Sequence, residues 1–159
     1  MKKLKQILLL LLVCTPLVFL TGCEEQNVEG TLEEIMTKVY ADIPEDERPM
    51  LGNIDVLKDV PDNIKYYIGT EDIEYEEILA SEPMMGSIAY SVVLVRMKDG
   101  ADIESAKQKI LDTVDPRKWI CVEVPKDDVI VESKGNLIIL IMVKDETTRN
   151  KIEEGFNNL

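Results

Sequence analysis

The chain has 159 residues, an acidic excess that gives a net charge of −13, and no histidine. So acidic a surface disfavours nucleic acid and anionic lipid headgroups as partners, because both bind through Lys and Arg. The lack of histidine excludes imidazole-based catalytic triads and removes the commonest ligand of zinc and copper sites.

The N-terminus has the parts of a secretory signal peptide: three lysines among the first five residues, then an apolar run over 7–20. The run is shorter than the roughly 20 residues of a membrane-spanning helix, so an uncleaved anchor is the less favoured alternative. Small residues before a cysteine, in Leu20-Thr21-Gly22-Cys23, are typical of a bacterial lipobox. We expect cleavage between Gly22 and Cys23, and a Cys23 sulfur that carries diacylglycerol with acyl chains such as palmitate.

Cleavage there divides the chain into a signal peptide over 1–22, the lipidated cysteine with an acidic tether over 23–30, and one α+β domain over 31–159. Residues 1–22 contain three lysines and no acid, so the mature charge is −13 minus 3, or −16. Acyl chains rather than charge must then hold the membrane, each buried methylene contributing about 0.8 kcal/mol. The expected location is the extracytoplasmic face of the cell membrane.

Cysteine usage predicts a fold without disulfides. Cys14 leaves with the signal peptide and Cys23 is lipidated, which leaves Cys121 without a partner in the chain. We therefore expect no internal disulfide and no disulfide-linked partner. Apolar neighbours predict that the Cys121 thiol is buried and inert, and two preceding basic residues leave a reactive thiol as the alternative.

The first element after the tether is a helix. Thr31-Leu32-Glu33-Glu34 is a capping-box pattern, and apolar residues at helical spacing follow it as far as Pro44. Residues 45–53 predict a loop rich in acids, proline and glycine. A short helix is predicted within 60–68, ending at Gly69.

The first strand-strand-helix unit follows. Alternating residues over 73–80 predict a half-exposed strand, and the nearly continuous apolar run over 88–97 predicts a central strand covered on both faces. Asp102 is placed to cap a helix that ends before Pro116.

A second unit of the same kind completes the chain. A strand over 129–132, a hairpin turn and an apolar strand over 137–143 lead to a terminal helix capped by Asp145 or Thr147. We predict an α+β fold: a four-stranded antiparallel sheet from two strand-strand-helix units, with both helices on one face. The N-terminal amphipathic helix is expected to cover the other face.

The remaining candidates for chemistry are carboxylates and methionines. Paired carboxylates across a cleft perform glycoside hydrolysis, but loop and exposed-strand positions favour a solvated surface. No run matches an EF-hand, which leaves weak calcium binding by loops as an alternative. Met84 and Met85, at a predicted hairpin tip, favour packing or contact roles over Cu(I) binding, which requires further sulfur or imidazole ligands. We assign no catalytic, cofactor-binding or metal-ligating residue; the acid clusters are Glu45-Asp46-Glu47, Glu71-Asp72, Glu74-Glu76-Glu77 and Asp127-Asp128.

Besides the lipobox, four short motifs stand out in residues 66–159: Glu82-Pro83-Met84-Met85, Lys98-Asp99-Gly100, Lys134-Gly135-Asn136 and a terminal helix that ends in Phe156. With these motifs the chain resembles an uncharacterised family of small lipoproteins from clostridia-type bacteria, whose domain has no assigned function. The resemblance implies a compartment and the lipid site Cys23, and it implies no substrate or catalytic residue.

We therefore expect a membrane-anchored extracytoplasmic lipoprotein that acts as a non-catalytic binding or interaction module at the cell envelope. Its expected partners are the membrane, through the lipid, and an envelope protein. The alternative is a carboxylate-based hydrolase of envelope sugars or peptides. If residues 31–68 left one face of the sheet bare, that apolar patch would be the partner site.

Overall fold

The computed structural model describes residues 27–159, and within them it shows one antiparallel sheet of five strands and five α-helices. The α+β class and the antiparallel sheet agree with the sequence prediction. The strands are β1 (Leu51–Asp55), β2 (Tyr75–Pro83), β3 (Tyr90–Met97), β4 (Ile130–Lys134) and β5 (Leu137–Val143), in the spatial order β1-β2-β3-β5-β4. The helices are α1 (Leu32–Val39), α2 (Val56–Asp59), α3 (Ile64–Ile68), α4 (Ile103–Thr113) and α5 (Glu146–Asn157).

Strand β1 corrects the prediction of four strands, since it lies where a loop was expected. It pairs with β2 so that Leu51 faces Pro83 and Asp55 faces Leu79. As an edge strand it is hydrogen-bonded on one side and only half-buried. It contains Gly52 and no alternation of apolar and polar residues, so the usual sequence signal of a strand is missing.

Helix α1 begins at the predicted capping box. The Thr31 hydroxyl accepts a hydrogen bond from the Glu34 amide at 3.2 Å, and the Glu34 carboxylate accepts one from the Thr31 amide at 3.1 Å. These bonds satisfy amides that the first helical turn leaves without partners. The apolar side of the helix is buried, as its spacing requires: Leu32, Ile35, Met36 and Val39.

The two central strands, β3 and β5, are buried along almost their whole length. Because side chains alternate across a strand, each strand contributes to two apolar clusters. On the front face Val93, Val95, Ile138 and Leu140 pack with α2, α3 and α4. On the back face Val92, Leu94, Ile139 and Ile141 pack with α1 and α5. Within the described residues both faces are therefore covered, so the condition for a partner site on a bare face is not met.

The prediction that both C-terminal helices share one face is wrong. Ile110 of α4 is buried in the front cluster, whereas Ile152 and Phe156 of α5 are buried in the back cluster beside α1. Strands β3 and β4 are parallel with β5 between them, so α4 is a crossover helix whose face is set by the right-handed rule. Helix α5 follows the last strand and covers the opposite face.

The first described residues are attached to the end of β3. Arg96 donates hydrogen bonds to the carbonyl oxygens of Val28, at 2.9 Å, and Gly30, at 2.6 Å. Helix α1 starts at this end of the sheet and runs toward the other end, where Tyr40 lies close to Tyr90. The segment before α1 and the C-terminal end of α1 are thus at opposite ends of the domain.

Candidate functional site

A cleft of about 910 Å³ opens between the C-terminal end of α1, the segment 41–50 and strands β1 and β2. This volume is within the range of small-molecule sites, which combine apolar walls with a few polar groups. The apolar lining includes Met36, Ile43 and Leu51, and the polar lining includes Tyr40, Arg48, Asn53 and Ser81.

The segment 41–50 forms the outer wall of this cleft. The Ile43 amide donates a hydrogen bond to the Tyr40 carbonyl oxygen at 3.0 Å, and Pro44 cannot continue the helix because it has no N–H. A single 3₁₀ turn over Glu45–Glu47 follows. The Lys151 ammonium lies 2.9 Å from the Glu47 carboxylate and ties the segment to α5.

Three hydroxyl groups beside the cleft are buried without a hydrogen-bond partner. They belong to Tyr40, Ser81 and Tyr90, which are 6%, 1% and 3% exposed. A buried hydroxyl without a partner typically costs about 1–3 kcal/mol. Tyr40 and Ser81 line the cleft itself. Three such groups in one place make this the least satisfied part of the described core.

The three hydroxyls lie close together, but no pair has the geometry of a normal hydrogen bond. Burial raises the pKa of Tyr40, while weak hydrogen bonding with Ser81 and Tyr90 opposes that shift. Burial also raises the pKa of Tyr90, and the neighbouring Tyr40 raises it further. Both phenols are therefore protonated at neutral pH and available as hydrogen-bond donors.

Arg48 supplies a positive charge to the same cleft. Its guanidinium carbon lies 4.6 Å from the centre of the Tyr40 ring, a cation–π contact that keeps the charge beside this ring. Its nearest carboxylate is that of Glu45, at 3.8 Å, and the two side chains are 20% and 95% exposed. An ion pair with such an exposed acid is weak, so the Arg48 charge has no strong partner among the described residues.

Tyr90 also lines an adjoining cleft of about 530 Å³, and Pro49 lines both clefts. The segment that carries Pro49 therefore separates the two cavities. The hydroxyl cluster reaches from one cleft, through Tyr40 and Ser81, to the other, through Tyr90.

A second polar cluster is buried under the turn between β2 and β3. The Lys118 ammonium donates to Glu82 Oε1 at 2.5 Å, to Ser91 Oγ at 3.3 Å and to the Tyr66 carbonyl oxygen at 3.3 Å. Ser91 Oγ donates to the same Glu82 oxygen at 2.6 Å. The Lys118 and Glu82 side chains are only 3% and 9% exposed.

The environment of Lys118 favours a structural role. All three ammonium donors have acceptors, and the rings of Tyr66, Tyr67 and Trp119 lie within 5.5 Å. Burial lowers the pKa of Lys118, and the charge of Glu82 opposes that shift. Ser91 is buried, and its hydroxyl is already engaged by Glu82. The cluster fastens the segment after α4 to the end of the sheet.

Acids from two of the predicted clusters line a small depression of about 230 Å³. They are Glu71 and Asp72 of one cluster and Glu74 of the next, and Asp102 lines the same depression. The Lys109 ammonium is 2.7 Å from the Asp72 carboxylate and holds the pKa of Asp72 below its usual range. A general acid needs the opposite shift. Asp102 caps α4. Across residues 27–159, no three His, Cys, Asp or Glu side chains are placed to hold a metal ion.

The other acid clusters are exposed or paired with nearby cations. Glu47 pairs with Lys151, and Asp128 lies 3.1 Å from Arg149. Glu76 is exposed, as is Asp127. Glu47 shares the lining of a neighbouring cleft with Asp145, but Glu47 is paired with Lys151 and Asp145 caps α5.

Cys121, Met84 and Met85 lie on the surface. The prediction that the Cys121 thiol is buried is wrong, because this residue is exposed in a bend with φ +60°. Trp119 is buried, whereas Ile120 and Cys121 are both exposed, because the left-handed conformation at Cys121 interrupts the alternation of inward and outward side chains. Met84 and Met85 are also exposed, which excludes a gap-filling role in the core.

The expected lipidation site, Cys23, and the cleavage position after Gly22 lie outside the described residues. From residue 27 to the C-terminus, no helix is long and apolar enough to cross a bilayer. Searches of protein-family models, of curated proteins and of solved structures find no match to this chain.

The three hydroxyl residues beside the cleft were not among the predicted candidate residues. Tyr40 belongs to the apolar stripe of α1, and Ser81 and Tyr90 belong to mostly apolar strands. The signal that could have found them is a hydroxyl at a position whose pattern demands burial, because such local conflicts concentrate at functional sites.

Proposed function

We propose that this protein is a membrane-anchored extracytoplasmic lipoprotein that acts as a non-catalytic binding module, with the cleft beside Tyr40 as its ligand site. The observation that carries the binding role is the group of three buried hydroxyls without partners. Such groups lower the stability of the ligand-free fold, and binding sites commonly accept this cost. A ligand that hydrogen-bonds to them would recover it.

The same cleft favours binding over covalent chemistry. A serine or tyrosine nucleophile needs an adjacent base or a lowered pKa. Glu45 is the carboxylate in the described lining, and its side chain is 95% exposed. The pKa of Tyr40 is raised, which is the opposite of activation.

The arrangement of the domain suits an anchor at Cys23. Cys23 lies five positions before Val28, and five residues span at most about 18 Å. Val28 is attached to Arg96 near one end of β3, whereas Tyr90, beside the cleft, is at the other end of β3. Six residues of strand cover about 20 Å. A lipid at Cys23 would therefore hold the Arg96 end near the bilayer and leave the cleft facing away from it.

The anchor is tested by labelling cells with a fatty-acid precursor and separating membranes from soluble protein. We expect the Cys23→Ala variant to lose the label and to lose its processed form. Cys121→Ala is the matched control, because this exposed thiol lies in the folded domain. A Cys23→Ala chain that takes up label and sediments like the wild type would contradict the anchor.

The binding role is tested on the mature chain in lipid nanodiscs, with the five tyrosines labelled with ¹⁵N. A library of small carboxylates, amines, sugars and peptides is screened, and binding is read from shifts in the tyrosine amide signals. We expect ligands that move the signals of Tyr40 and Tyr90 and leave that of Tyr75 in place. A library in which nothing moves the Tyr40 signal would contradict the assignment of the cleft.

A further inference from the structure

We propose that the cleft beside Tyr40 binds a small monocarboxylate that carries an apolar group. This inference rests on the proposed function and adds the chemical class of the ligand. It is drawn from three features of the lining: one cation without a strong partner, hydroxyl donors, and apolar walls.

The cation is Arg48. A guanidinium presents several N–H donors in a fixed plane and binds carboxylates through two parallel hydrogen bonds. The Tyr40 ring, 4.6 Å from the guanidinium carbon, keeps the guanidinium beside the cleft. Glu45, at 3.8 Å and 95% exposed, competes weakly because it is fully hydrated. The Arg48 charge is therefore available to an incoming anion.

Tyr40, at the end of α1, and Ser81, on β2, add two hydroxyls to the lining of the cleft. A carboxylate has two oxygens with about four acceptor positions. It can therefore accept hydrogen bonds from Arg48 and from these hydroxyls together. An ammonium group would lie beside the guanidinium and be repelled by it.

The apolar part of the ligand follows from Met36, Ile43 and Leu51, which line the same cleft. Burying apolar ligand surface against them contributes about 25 cal/mol per Å². The charges of the protein favour a ligand with a single negative charge. Arg48 is the one cationic residue in the described lining, and the whole chain carries −13. A dianion such as a phosphate monoester would leave charge unpaired in an acidic protein.

The test compares three probes on the mature chain in nanodiscs by isothermal titration calorimetry: phenylacetate, the isosteric phenylacetamide and phenyl phosphate. We expect phenylacetate to bind at least about tenfold more tightly than the amide, as hydrogen bonds to a charged group imply. Phenyl phosphate should bind more weakly than phenylacetate.

Single-residue variants show which side chains produce the preference for phenylacetate over phenylacetamide. Arg48→Met should bring the two dissociation constants together, and Ser81→Ala should weaken phenylacetate by a smaller factor. Arg117→Met is the matched control, because Arg117 is exposed and pairs with Asp115 outside the cleft. Unfolding curves confirm that each variant is folded.

The outcomes separate this inference from the proposed function. Equal binding of phenylacetate and its amide at the Tyr40 signal would overturn the carboxylate class and leave the binding module standing. A carboxylate preference that survives in Arg48→Met would overturn the role of Arg48. Tighter binding of phenyl phosphate would assign the site to phosphate esters. If no probe and no library compound moves the Tyr40 signal, the proposed function fails as well.

Discussion

Gly155 of α5 packs directly on the backbone of α1 at Val39. A Cβ atom built at Gly155 would lie 2.3 Å from the Val39 carbonyl oxygen and 3.0 Å from its carbonyl carbon. These backbone atoms cannot rotate away, so the two helices touch at this point because the residue is glycine.

Gly155→Ala is therefore expected to destabilise the protein although alanine is the better helix former. Forcing α1 and α5 apart should cost about 1–3 kcal/mol, more than the roughly 1 kcal/mol that alanine gains in helix propensity. Urea unfolding measures the difference. Asn150→Ala, at an exposed position of α5, is the control and should be neutral or slightly stabilising. Equal stability of the two variants would contradict the close contact.

Two glycines with the same backbone conformation provide a second test. Gly69 and Gly100 have φ of +78° and +79°, but a Cβ at Gly69 would meet the Val114 amide nitrogen at 2.3 Å, and one at Gly100 would meet nothing within 4 Å. Gly100→Ala should cost about 1–2 kcal/mol, from the left-handed conformation alone. Gly69→Ala should cost about 1–3 kcal/mol more. Similar unfolding midpoints for the two variants would contradict this prediction.

Two buried serines on adjacent strands should respond differently to loss of the hydroxyl. Ser91 donates to Glu82 at 2.6 Å, whereas Ser81 has no partner. Ser91→Ala should cost about 1–3 kcal/mol, because it removes a hydrogen bond to a charged group. Ser81→Ala should be neutral or stabilising, and Tyr90→Phe should behave in the same way. Denaturant unfolding of the ligand-free chain measures these changes in stability. A clear loss of stability in Ser81→Ala would contradict the conclusion that Ser81 has no hydrogen-bond partner.

The sequence was sufficient for the parts of the fold that local patterns specify. The capping box and its spacing mark α1, and the unbroken apolar runs mark β3 and β5 as the strands covered on both faces. It was insufficient where the outcome depends on tertiary arrangement. Strand β1 has no periodic pattern, and the face taken by α5 is set by strand order rather than by its own residues.

The candidate site was less predictable than the fold. Tyr40 fits an apolar helix stripe, and Arg48 lies in a loop of ordinary composition. They meet Ser81 only because β1 pairs with β2 and the segment 41–50 folds over the end of α1. The sequence also does not predict the contact between Glu82 and Lys118, because the two residues are 36 positions apart and meet only in the folded chain.

The pair formed by Glu82 and Lys118 should be far more sensitive to substitution than the surface pairs. Removing one partner of a buried ion pair costs about 3–5 kcal/mol, because the other charge remains buried. Lys118→Met and Glu82→Gln should each lose stability on this scale, and the double variant should recover part of it. Lys109→Met, which breaks the exposed pair with Asp72, is the control and should change stability by about 0–1 kcal/mol. Additive losses in the double variant would contradict the coupling.

The cap of α5 predicts a pH dependence. Asp145 accepts a hydrogen bond from the Thr148 amide at 2.7 Å, and this bond holds the pKa of Asp145 below its usual range. A carboxyl with a lowered pKa in the folded state contributes stability above its unfolded pKa and loses that contribution as pH falls through the folded value. The difference in thermal midpoint between wild type and Asp145→Ala should therefore be full at pH 6 and shrink below about pH 4.

Asp99→Ala is the control for that experiment. Asp99 is exposed, and no hydrogen bond or ion pair joins its carboxylate to the part of the chain that the structure describes. Its difference from wild type should be small at every pH. A gap for Asp145→Ala that stays constant from pH 6 to pH 2 would contradict the assignment of the cap.

The hydrogen bonds from Arg96 to Val28 and Gly30 also have a mechanical consequence. A pull on the N-terminal segment is transmitted first to a side chain of β3, which is hydrogen-bonded to β2 on one side and to β5 on the other. Tension directed along that strand loads both rows of hydrogen bonds in shear, so that many must break together. Drag on the domain would thus be borne by the strongest part of the sheet, while the weakly paired edge strand β1 carries little of the force.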